Sequence, residues 1–430
     1  MTLKHWLDHL ESLHPKGQAG IELGLDRVRQ VKAALGQTQP CPVIMVGGTN
    51  GKGSTCAYLE NIVVRAGYRV GCYTSPHLLA YNERVRLNGK PADDDQLCAA
   101  FARVEAARQA AGNVALTYFE FGTLAAWEVF AAAGVEAAIL EVGLGGRLDA
   151  VNAWEPDVSI VTTVALDHTD WLGPDRESIG FEKAGIFRAG RPALCADPDP
   201  PQSLLDHAAA IAADLRLIGR DFGFERDLEN RLQWRWWCRS GDRLVKRSLA
   251  WPGLRGTVQL ANATVALAAL EALGDRLPVT MQAIRPGLIE TELPGRFQVL
   301  PGRPAIVLDV GHNPQAVRVL ADNLAGMGFF DRTHAVVGML ADKDVGGALA
   351  PLAGRVDCWH VATLAGPRGT PASTLATIIA DGRLGGEVSC HESPRAAMQA
   401  AKGLAAESDR IVAFGSFYTV AGALAALPSR

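Results

Sequence analysis

The chain has 430 residues, of which 48% are hydrophobic and 20% charged, and its formal net charge is −4. This balance excludes a disordered chain and a strongly basic nucleic-acid binder, and the length predicts two or three domains. The eight cysteines form no C-x-x-C pair, which argues against a zinc site or disulfide framework and favours a reducing cytoplasm. No run of eighteen apolar residues or signal-peptide pattern occurs, so we expect no membrane span.

Alternating apolar and helical segments in the first half of the chain predict a largely parallel sheet. The apolar runs are predicted to form buried strands, and the segments between them have apolar residues at the spacing of a helix. The predicted strands cover residues 42–46, 68–75, 136–146 and 157–168, and the predicted helices cover 54–67, 94–111 and 119–133.

Residues 215–250 alternate in polarity and are rich in aromatic side chains, so they predict a small antiparallel addition with a turn at "SGD". The Trp cluster there (Trp234, Trp236 and Trp237) is open to two interpretations. It could stack on a ligand, but packing within the antiparallel layer is the interpretation that general burial behaviour favours. A helix is predicted to follow at 261–273.

A second α/β domain is predicted beyond Leu293, where "ELPGRFQVLPGRP" is broken by Pro and Gly. The apolar runs "AIVLDV", "THAVVGML", "VDCWHV" and "RIVAFGS" each precede a helical pattern. We therefore expect an N-terminal domain over residues 1–293 and a smaller Rossmann-like domain over 294–430.

The segment "VGGTNGKGSTC" (46–56) follows a predicted strand and opens a predicted helix, which is the context of a phosphate loop. Its glycines let backbone N–H groups surround phosphate oxygens, Lys52 would reach the terminal phosphates, and Ser54 or Thr55 could contact phosphate or metal. It departs from the Walker pattern at Val46 and Gly53. The alternative is a Gly-rich turn without a ligand.

Polar side chains stand at the ends of three predicted strands, where α/β proteins place their ligands. They are Ser75 with His77, Glu141, and His168 with Asp167 and Asp170. Oxygen and imidazole ligands suit a metal that accompanies ATP phosphates. Plainer interpretations stay open: a simple Ser-Pro turn, a carboxylate bonded to backbone amides, and a surface or core histidine. Lys183, in a polar helix, is expected to be solvated.

The segment "LDVGHNP" (308–314) is the main signal of the second domain. It places Asp309 and His312 at the end of a predicted strand, just before a helix. Asn262 and Arg296 are further candidates to hold a nucleotide from the seam between the domains.

Several long motifs, in order along nearly the whole chain, resemble one family. They are "GTNGKGST", "TSPHLLAYNERVR", "TYFEFGTLAA", "LEVGLGGRLDA", "DHTDWLGPDRESIGFEKAGIFR", "LPGRFQ" and "GSFYTVA". The chain is similar to the bacterial bifunctional dihydrofolate synthases/folylpolyglutamate synthases of the Mur ligase superfamily. That resemblance implies an α/β fold: an N-terminal P-loop ATPase domain of Mur-ligase type with the antiparallel addition, and a smaller C-terminal Rossmann-like domain.

The resemblance also implies the reaction. The γ-phosphoryl group of ATP is transferred to the carboxylate of dihydropteroate or of a folate, and the amino group of L-glutamate attacks the acyl phosphate. Phosphorylation turns an anionic carboxylate into an electrophile with a good leaving group, so the protein must neutralise charge and align the reactants.

Site residues follow by matching motifs. Catalysis is implied for Lys52, Lys183, His168 and His312, and metal binding for Ser75, Glu141 and His168. Nucleotide binding is implied for Gly51, Lys52, Gly53, Ser54, Asn262, Arg296 and Asp309. Substrate binding is implied for Glu22, Leu23, Tyr118, Phe119, Glu120, Phe121, Leu148, Asp149 and Ala150.

The implied cofactors are ATP, Mg²⁺, a monovalent cation and a carbamate on Lys183, and the implied partners are small molecules only, with the chain a monomer. The chain departs from the family at Glu22, where Asp is usual, and at Gly311, where Ala is usual.

Three alternatives are considered. Cell-wall Mur ligases usually carry an extra N-terminal domain, and the 46 residues before Gly47 are too few for one. A regulatory NTP switch would not need "DVGHNP", and no N-K-x-D string is present. A monofunctional folylpolyglutamate synthase is the nearest competitor.

Overall fold

The computed structural model describes residues 1–14, 20–227, 232–241 and 243–427. Asp242 of the predicted "SGD" turn lies outside them. The helices are α1 (Leu3–Ser12), α2 (Asp26–Leu35), α3 (Lys52–Arg65), α4 (Asp94–Ala110), α5 (Tyr118–Ala133), α6 (Thr169–Leu172), α7 (Arg176–Ala184), α8 (Gln202–Ala210), α9 (Val258–Leu273), α10 (Met281–Ile289), α11 (Pro314–Ala325), α12 (Val345–Leu349), α13 (Ala372–Asp381), α14 (Pro394–Leu404) and α15 (Phe417–Leu424).

The strands form three sheets. Their bounds are β1 (Val43–Gly47), β2 (Val70–Tyr73), β3 (Val85–Leu87), β4 (Lys90–Pro91), β5 (Ala137–Glu141), β6 (Val158–Val161), β7 (Pro192–Cys195), β8 (Asp214–Leu217), β9 (Phe222–Arg226), β10 (Gln233–Ser240), β11 (Arg243–Ala250), β12 (Gln298–Leu300), β13 (Ala305–Leu308), β14 (Thr333–Val337), β15 (Cys358–Ala362), β16 (Glu387–His391) and β17 (Arg410–Phe414).

The largest sheet has eight strands in the order β4-β3-β2-β5-β1-β6-β7-β8, and all of them from β2 to β8 along that order are parallel. The predicted parallel sheet is therefore confirmed. All residues of β1 and β5 are buried, as expected for central strands covered on both faces. Since β1 lies between β5 and β6, the phosphate loop that follows β1 lies beside the ends of both neighbours.

The antiparallel addition consists of β9, β10 and β11. Trp234 and Trp236 are buried in it, which confirms packing as their role, and the Trp236 indole N–H donates to the Thr264 carbonyl oxygen at 3.1 Å. The predicted start of this layer was wrong. Residues 214–217 form β8, a parallel edge strand of the large sheet, because four residues are too few to reveal which sheet supplies their hydrogen bonds.

The C-terminal sheet has six strands in the order β12-β13-β17-β14-β15-β16, of which only the edge strand β12 is antiparallel. The four predicted strands of this region correspond to β13, β14, β15 and β17. Strands β12 and β16 were not predicted; β12 has only three residues, and β16 (Glu387–His391) carries polar or charged residues at three of its five positions. Helices α11 to α14 follow strands in the βα alternation of Rossmann-like folds.

The residues group into two compact units. The first contains Met1–Ala165, Thr169–Gly253 and Leu260–Thr291, and the second contains Leu166–His168, Leu254–Gln259 and Glu292–Arg430. We keep the boundary between residues 293 and 294 as a proposal for the division into domains. Within the described parts of the chain, no helix combines the length and apolar character needed to cross a bilayer.

Candidate active site

The phosphate loop links β1 to α3 with a backbone that needs glycine. Gly48 has φ +135°, and a Cβ there would lie 1.9 Å from Thr162 Oγ1. Gly51 has φ +91°, and a Cβ there would lie 2.5 Å from Asn262 Oδ1. Gly51 is also the N-cap of α3 and has no side chain to cap the first-turn amides, so these N–H groups and the helix dipole suit an anion.

The segment after β6 holds the loop in shape. Thr49 N donates to the Thr163 carbonyl oxygen at 2.7 Å, and Thr162 Oγ1 donates to the Asn50 carbonyl oxygen at 2.7 Å. The Lys52 ammonium donates to the carbonyl oxygens of Gly48 (3.0 Å) and Thr49 (3.2 Å). The loop is therefore pre-organised, with its only lysine folded over it.

Ser54 and Thr55 lie in the first turn of α3 and are buried. Within the described residues, Thr55 Oγ1 has no hydrogen-bond partner. The structure therefore brings Gly51, Lys52, Gly53, Ser54 and Asn262 together at one loop of the first unit, as the nucleotide assignment requires.

Ser75 and Glu141 lie at the ends of the adjacent strands β2 and β5. The Ser75 backbone N–H donates to Glu141 Oε2 at 3.1 Å, and the Ser75–Pro76 peptide bond is cis. Glu141 is only 5% exposed. A carboxylate and a serine hydroxyl from neighbouring strand ends are hard oxygen donors, a chemistry that fits Mg²⁺.

The third predicted metal ligand, His168, belongs to the second unit. Its backbone has φ +53°, its N–H donates to Asp167 Oδ1 at 2.9 Å, and its Nε2 lies 3.3 Å from Lys343 Nζ. In the described residues, no group of three or more His, Cys, Asp and Glu side chains is arranged to hold a metal. The predicted set of Ser75, Glu141 and His168 includes a serine, so a group of this composition is not covered by that statement. Its assembly therefore stays a prediction.

Asp167 is the centre of a charged cluster in the second unit. Its carboxylate accepts from Lys343 Nζ at 2.6 Å and from Asn313 Nδ2 at 3.3 Å, and it lies 3.6 Å from His312 Nε2. Burial raises the pKa of Asp167, but the contact with His312 and the charges of His168 and Lys343 lower it well below its usual range. The cluster thus holds an ionised carboxylate between His168 and His312.

Asp309 and Arg296 lie in the same unit. The Asp309 carboxylate accepts from the backbone N–H of Gly311 (2.7 Å) and of Phe297 (2.9 Å), and burial raises its pKa. The Arg296 guanidinium lies 5.1 Å from the centre of the Phe417 ring, within cation–π range. Whether these residues meet the nucleotide with Asn262 stays a prediction.

The three predicted substrate segments converge in the first unit. Arg27 Nη2 donates to the Glu22 carbonyl oxygen at 2.9 Å and to Glu120 Oε1 at 2.9 Å. Gly24 N donates to the Leu148 carbonyl oxygen at 3.2 Å. Residues 21–25 therefore contact 148–150 directly and are linked to 118–121 through Arg27, which sequence reasoning missed.

Burial separates the candidate substrate residues. Phe119 is partly exposed and lies against Gly143, where a Cβ would come within 2.5 Å of the ring. Phe121 is fully buried and belongs to the core, and Ala150 is buried as well. Glu120 is 2% exposed and forms a capping box with Thr117, so its carboxylate stabilises the start of α5. Leu23 and Leu148 are partly exposed, and Glu22 is exposed, forms an ion pair with Arg27 and is hydrogen-bonded to His14.

Asp149 and Tyr118 have environments that restrict their chemistry. The Asp149 carboxylate accepts from Leu144 N at 2.8 Å and Val151 N at 3.1 Å, and burial raises its pKa to about 7. The residue is thus able to donate or accept a proton near neutral pH.

Tyr118 is the first residue of α5, is buried, and packs edge-on against Tyr81 with ring centroids 5.9 Å apart.

The expectation of a solvated Lys183 was wrong. Lys183 lies in α7 and is only 4% exposed, because the turn at Gly146 packs closely on the backbone of Glu182 and Lys183. Burial disfavours the charged form of a lysine, so the groups around the Lys183 side chain decide its state.

Comparisons with known proteins identify the family to which this fold and sequence belong. Residues 295–417 match the family model described as Mur ligase, glutamate ligase domain. The dihydrofolate synthase/folylpolyglutamate synthase of Escherichia coli (strain K12) is 44% identical over 429 residues, covering 100% of this chain and 96% of the relative. The solved structure of E. coli FolC in complex with DHPP and ADP is 43% identical with a TM-score of 0.90, covering 99% of this chain and 97% of that one.

A further solved structure is a bifunctional folylpolyglutamate synthase/dihydrofolate synthase with Mn, AMPPNP and L-glutamate bound. It is 45% identical to this chain with a TM-score of 0.88, and the match covers 99% of this chain and 98% of that one. Nucleotide binding is thus shown for both of these similar proteins, and manganese binding for the second.

A phosphate loop on a parallel sheet, followed by a glutamate ligase domain, defines an ATP-dependent, amide-forming ligase of the Mur ligase superfamily. Identity of 44% over the full length places the chain more narrowly. It belongs to the bifunctional dihydrofolate synthase/folylpolyglutamate synthase family.

Proposed function

We propose that this chain ligates L-glutamate to dihydropteroate, giving dihydrofolate, and also to folates, lengthening their glutamate chains. A carboxylate oxygen of the acid attacks the γ-phosphorus of ATP and ADP leaves. The glutamate amino nitrogen then attacks the acyl carbon, loses a proton, and phosphate leaves. The observation that carries the proposal is the convergence of three substrate segments in the unit that also holds the phosphate loop.

The residues have separate tasks in this proposal. The loop amides and Lys52 bind the phosphates of ATP, with Asn262, Arg296 and Asp309 as further nucleotide contacts. Ser75, Glu141 and His168 would hold Mg²⁺, which when bound neutralises phosphate charge. Leu23, Phe119, Leu148 and Asp149 would contact the pterin acid, and His312 would lie near the attacking amine.

The remaining assignments are also proposals. We propose that Lys183 carries the carbamate that its motif implies, and its burial in α7 would keep that anion away from solvent, where it could assist a metal site. We further propose a monomer that works in the cytoplasm and needs a monovalent cation. The exposed Glu22 is paired with Arg27 and His14, so we propose that it shapes the substrate segment rather than contacting the pterin.

A product assay with purified protein, ATP, Mg²⁺ and L-glutamate tests the function. We expect dihydrofolate from dihydropteroate, and longer glutamate chains from tetrahydrofolate. The alternative, a monofunctional folylpolyglutamate synthase, predicts only the second product. If ATP is consumed with neither dihydropteroate nor tetrahydrofolate present as the acid, or if neither acid yields a product, both functions are contradicted.

A further inference from the structure

The loop between β2 and β3 and the strand β3 that follows it carry three charged residues, Glu83, Arg84 and Arg86, and the fold uses two of them fully. The Glu83 carboxylate accepts hydrogen bonds of 2.7–2.8 Å from the backbone N–H groups of residues 78–80. Arg86 donates to Glu60 Oε2 at 2.8 Å and to Thr74 Oγ1 at 2.9 Å. These two residues stabilise the loop itself.

The third charged residue, Arg84, is held differently. Its guanidinium lies 5.4 Å from the centre of the Tyr81 ring and 5.6 Å from that of Tyr118. Its Nε–H donates to His77 Nδ1 at 2.9 Å. A guanidinium N–H can only donate, so His77 Nδ1 is the acceptor of this hydrogen bond. Two aromatic rings and one hydrogen bond therefore fix the plane of the guanidinium.

The terminal nitrogens of Arg84 are not used by the fold. Among residues 1–14, 20–227, 232–241 and 243–427, none accepts a hydrogen bond from Nη1 or Nη2, and no carboxylate lies within 4.0 Å of the guanidinium. The side chain is partly exposed. A guanidinium is permanently charged and presents a planar fork that matches a carboxylate. An ordered fork without a protein anion is suited to an anion that comes from outside the chain.

The place of Arg84 in the first unit indicates which anion this is. Its carbonyl oxygen accepts from Thr74 N at 2.9 Å, next to Ser75, whose N–H contacts Glu141. Its guanidinium lies against Tyr118, the first residue of the α5 substrate segment. It therefore stands between the candidate metal ligands and the candidate pterin contacts, where a pterin acid would present its carboxylate to ATP.

We propose that Arg84 binds the carboxylate of the acid substrate and orients it for phosphoryl transfer. This inference rests on the proposed function and extends it by naming the residue that recognises the reacting group. A charge-assisted, two-pronged contact of this kind contributes about tenfold to a hundredfold in affinity.

Equilibrium binding with ADP and Mg²⁺ present, so that no turnover occurs, tests the proposal. The dissociation constant of dihydropteroate is compared with that of its analogue in which the carboxyl group of the aminobenzoate ring is replaced by hydrogen. We expect the unsubstituted protein to bind the acid about tenfold to a hundredfold more tightly, and Arg84→Met to bind both compounds alike. Affinity for the carboxyl-free compound should be the same in both proteins. Arg84→Lys should keep part of the preference, and Arg29→Met, an exposed control on α2, should keep all of it.

Two results would overturn the inference. If Arg84→Met loses affinity equally for both compounds, the residue only packs against the tyrosines. If it keeps the preference for the acid, another group recognises the carboxylate. Arg84→Gln gives the same comparison if Arg84→Met does not fold. If the unsubstituted protein binds neither compound, the proposed function itself fails, and the inference fails with it.

Discussion

Lys52→Ala is expected to lower kcat of glutamate ligation by about a thousandfold or more while the fold is retained. The Lys52 ammonium is partly exposed, and its hydrogen bonds within the described residues go to the Gly48 and Thr49 carbonyl oxygens, so its removal leaves no buried unpaired charge. The loop shape depends instead on Thr162 and Thr163. Charge on the transferred phosphoryl group would lose its nearest lysine, so the transition state should suffer most.

Steady-state kinetics and thermal unfolding of the same preparation check this expectation. Lys90→Ala, at an exposed position of the edge strand β4, is the matched control and should behave as the unsubstituted protein. Wild-type turnover in a normally folded Lys52→Ala protein would show that the loop does not bind the phosphates of ATP.

Lys183→Ala is expected to lower kcat by at least about a hundredfold, and short carboxylic acids such as acetate should restore part of the activity. The reason is that the neutral Lys183 amine would add CO₂ and release a proton, which places an anion in a buried position. Acetate resembles the carboxylate end of that group. The loss should appear in turnover more than in unfolding temperature, because alanine leaves no buried charge.

The discriminating control uses a cation instead of an anion. Methylammonium resembles an unmodified lysine, so rescue of Lys183→Ala by methylammonium and not by acetate would show that an ammonium ion is required. In the unsubstituted protein, a carbamate carbon signal in NMR after addition of ¹³C-bicarbonate, absent in Lys183→Ala, would confirm the modification directly.

Much of the first unit could be predicted because its signals are local. A buried apolar run, a Gly-rich turn and a helix follow one another within residues 43–65, and each has a sequence pattern of its own. Strand β5 ends at Glu141, and an isolated carboxylate among apolar residues predicts a strand end, with a ligand role that stays a prediction. Position at the carboxyl edge of a parallel sheet then follows from topology.

Features that depend on distant parts of the chain could not be predicted. The hydrogen bond between Lys343 and Asp167 joins residues 176 positions apart, and the sequence around neither residue indicates the other as its partner. Burial of Lys183 depends on the turn at Gly146, although its helix has a polar sequence. Arg84 lies in the motif "TSPHLLAYNERVR", but the motif does not show that Arg84 differs from Arg86 in its partners. Only the structure shows that Arg86 is paired with Glu60.

The central claim is that the carboxylate of the acid substrate receives the γ-phosphoryl group of ATP. Dihydropteroate labelled with ¹⁸O in both carboxyl oxygens tests it in a single turnover mixture with ATP and L-glutamate. One labelled oxygen should appear in inorganic phosphate and the other in the new amide carbonyl of dihydrofolate. Unlabelled phosphate, or label in AMP accompanied by pyrophosphate, would contradict the acyl-phosphate route and with it the tasks proposed for the loop and Lys52.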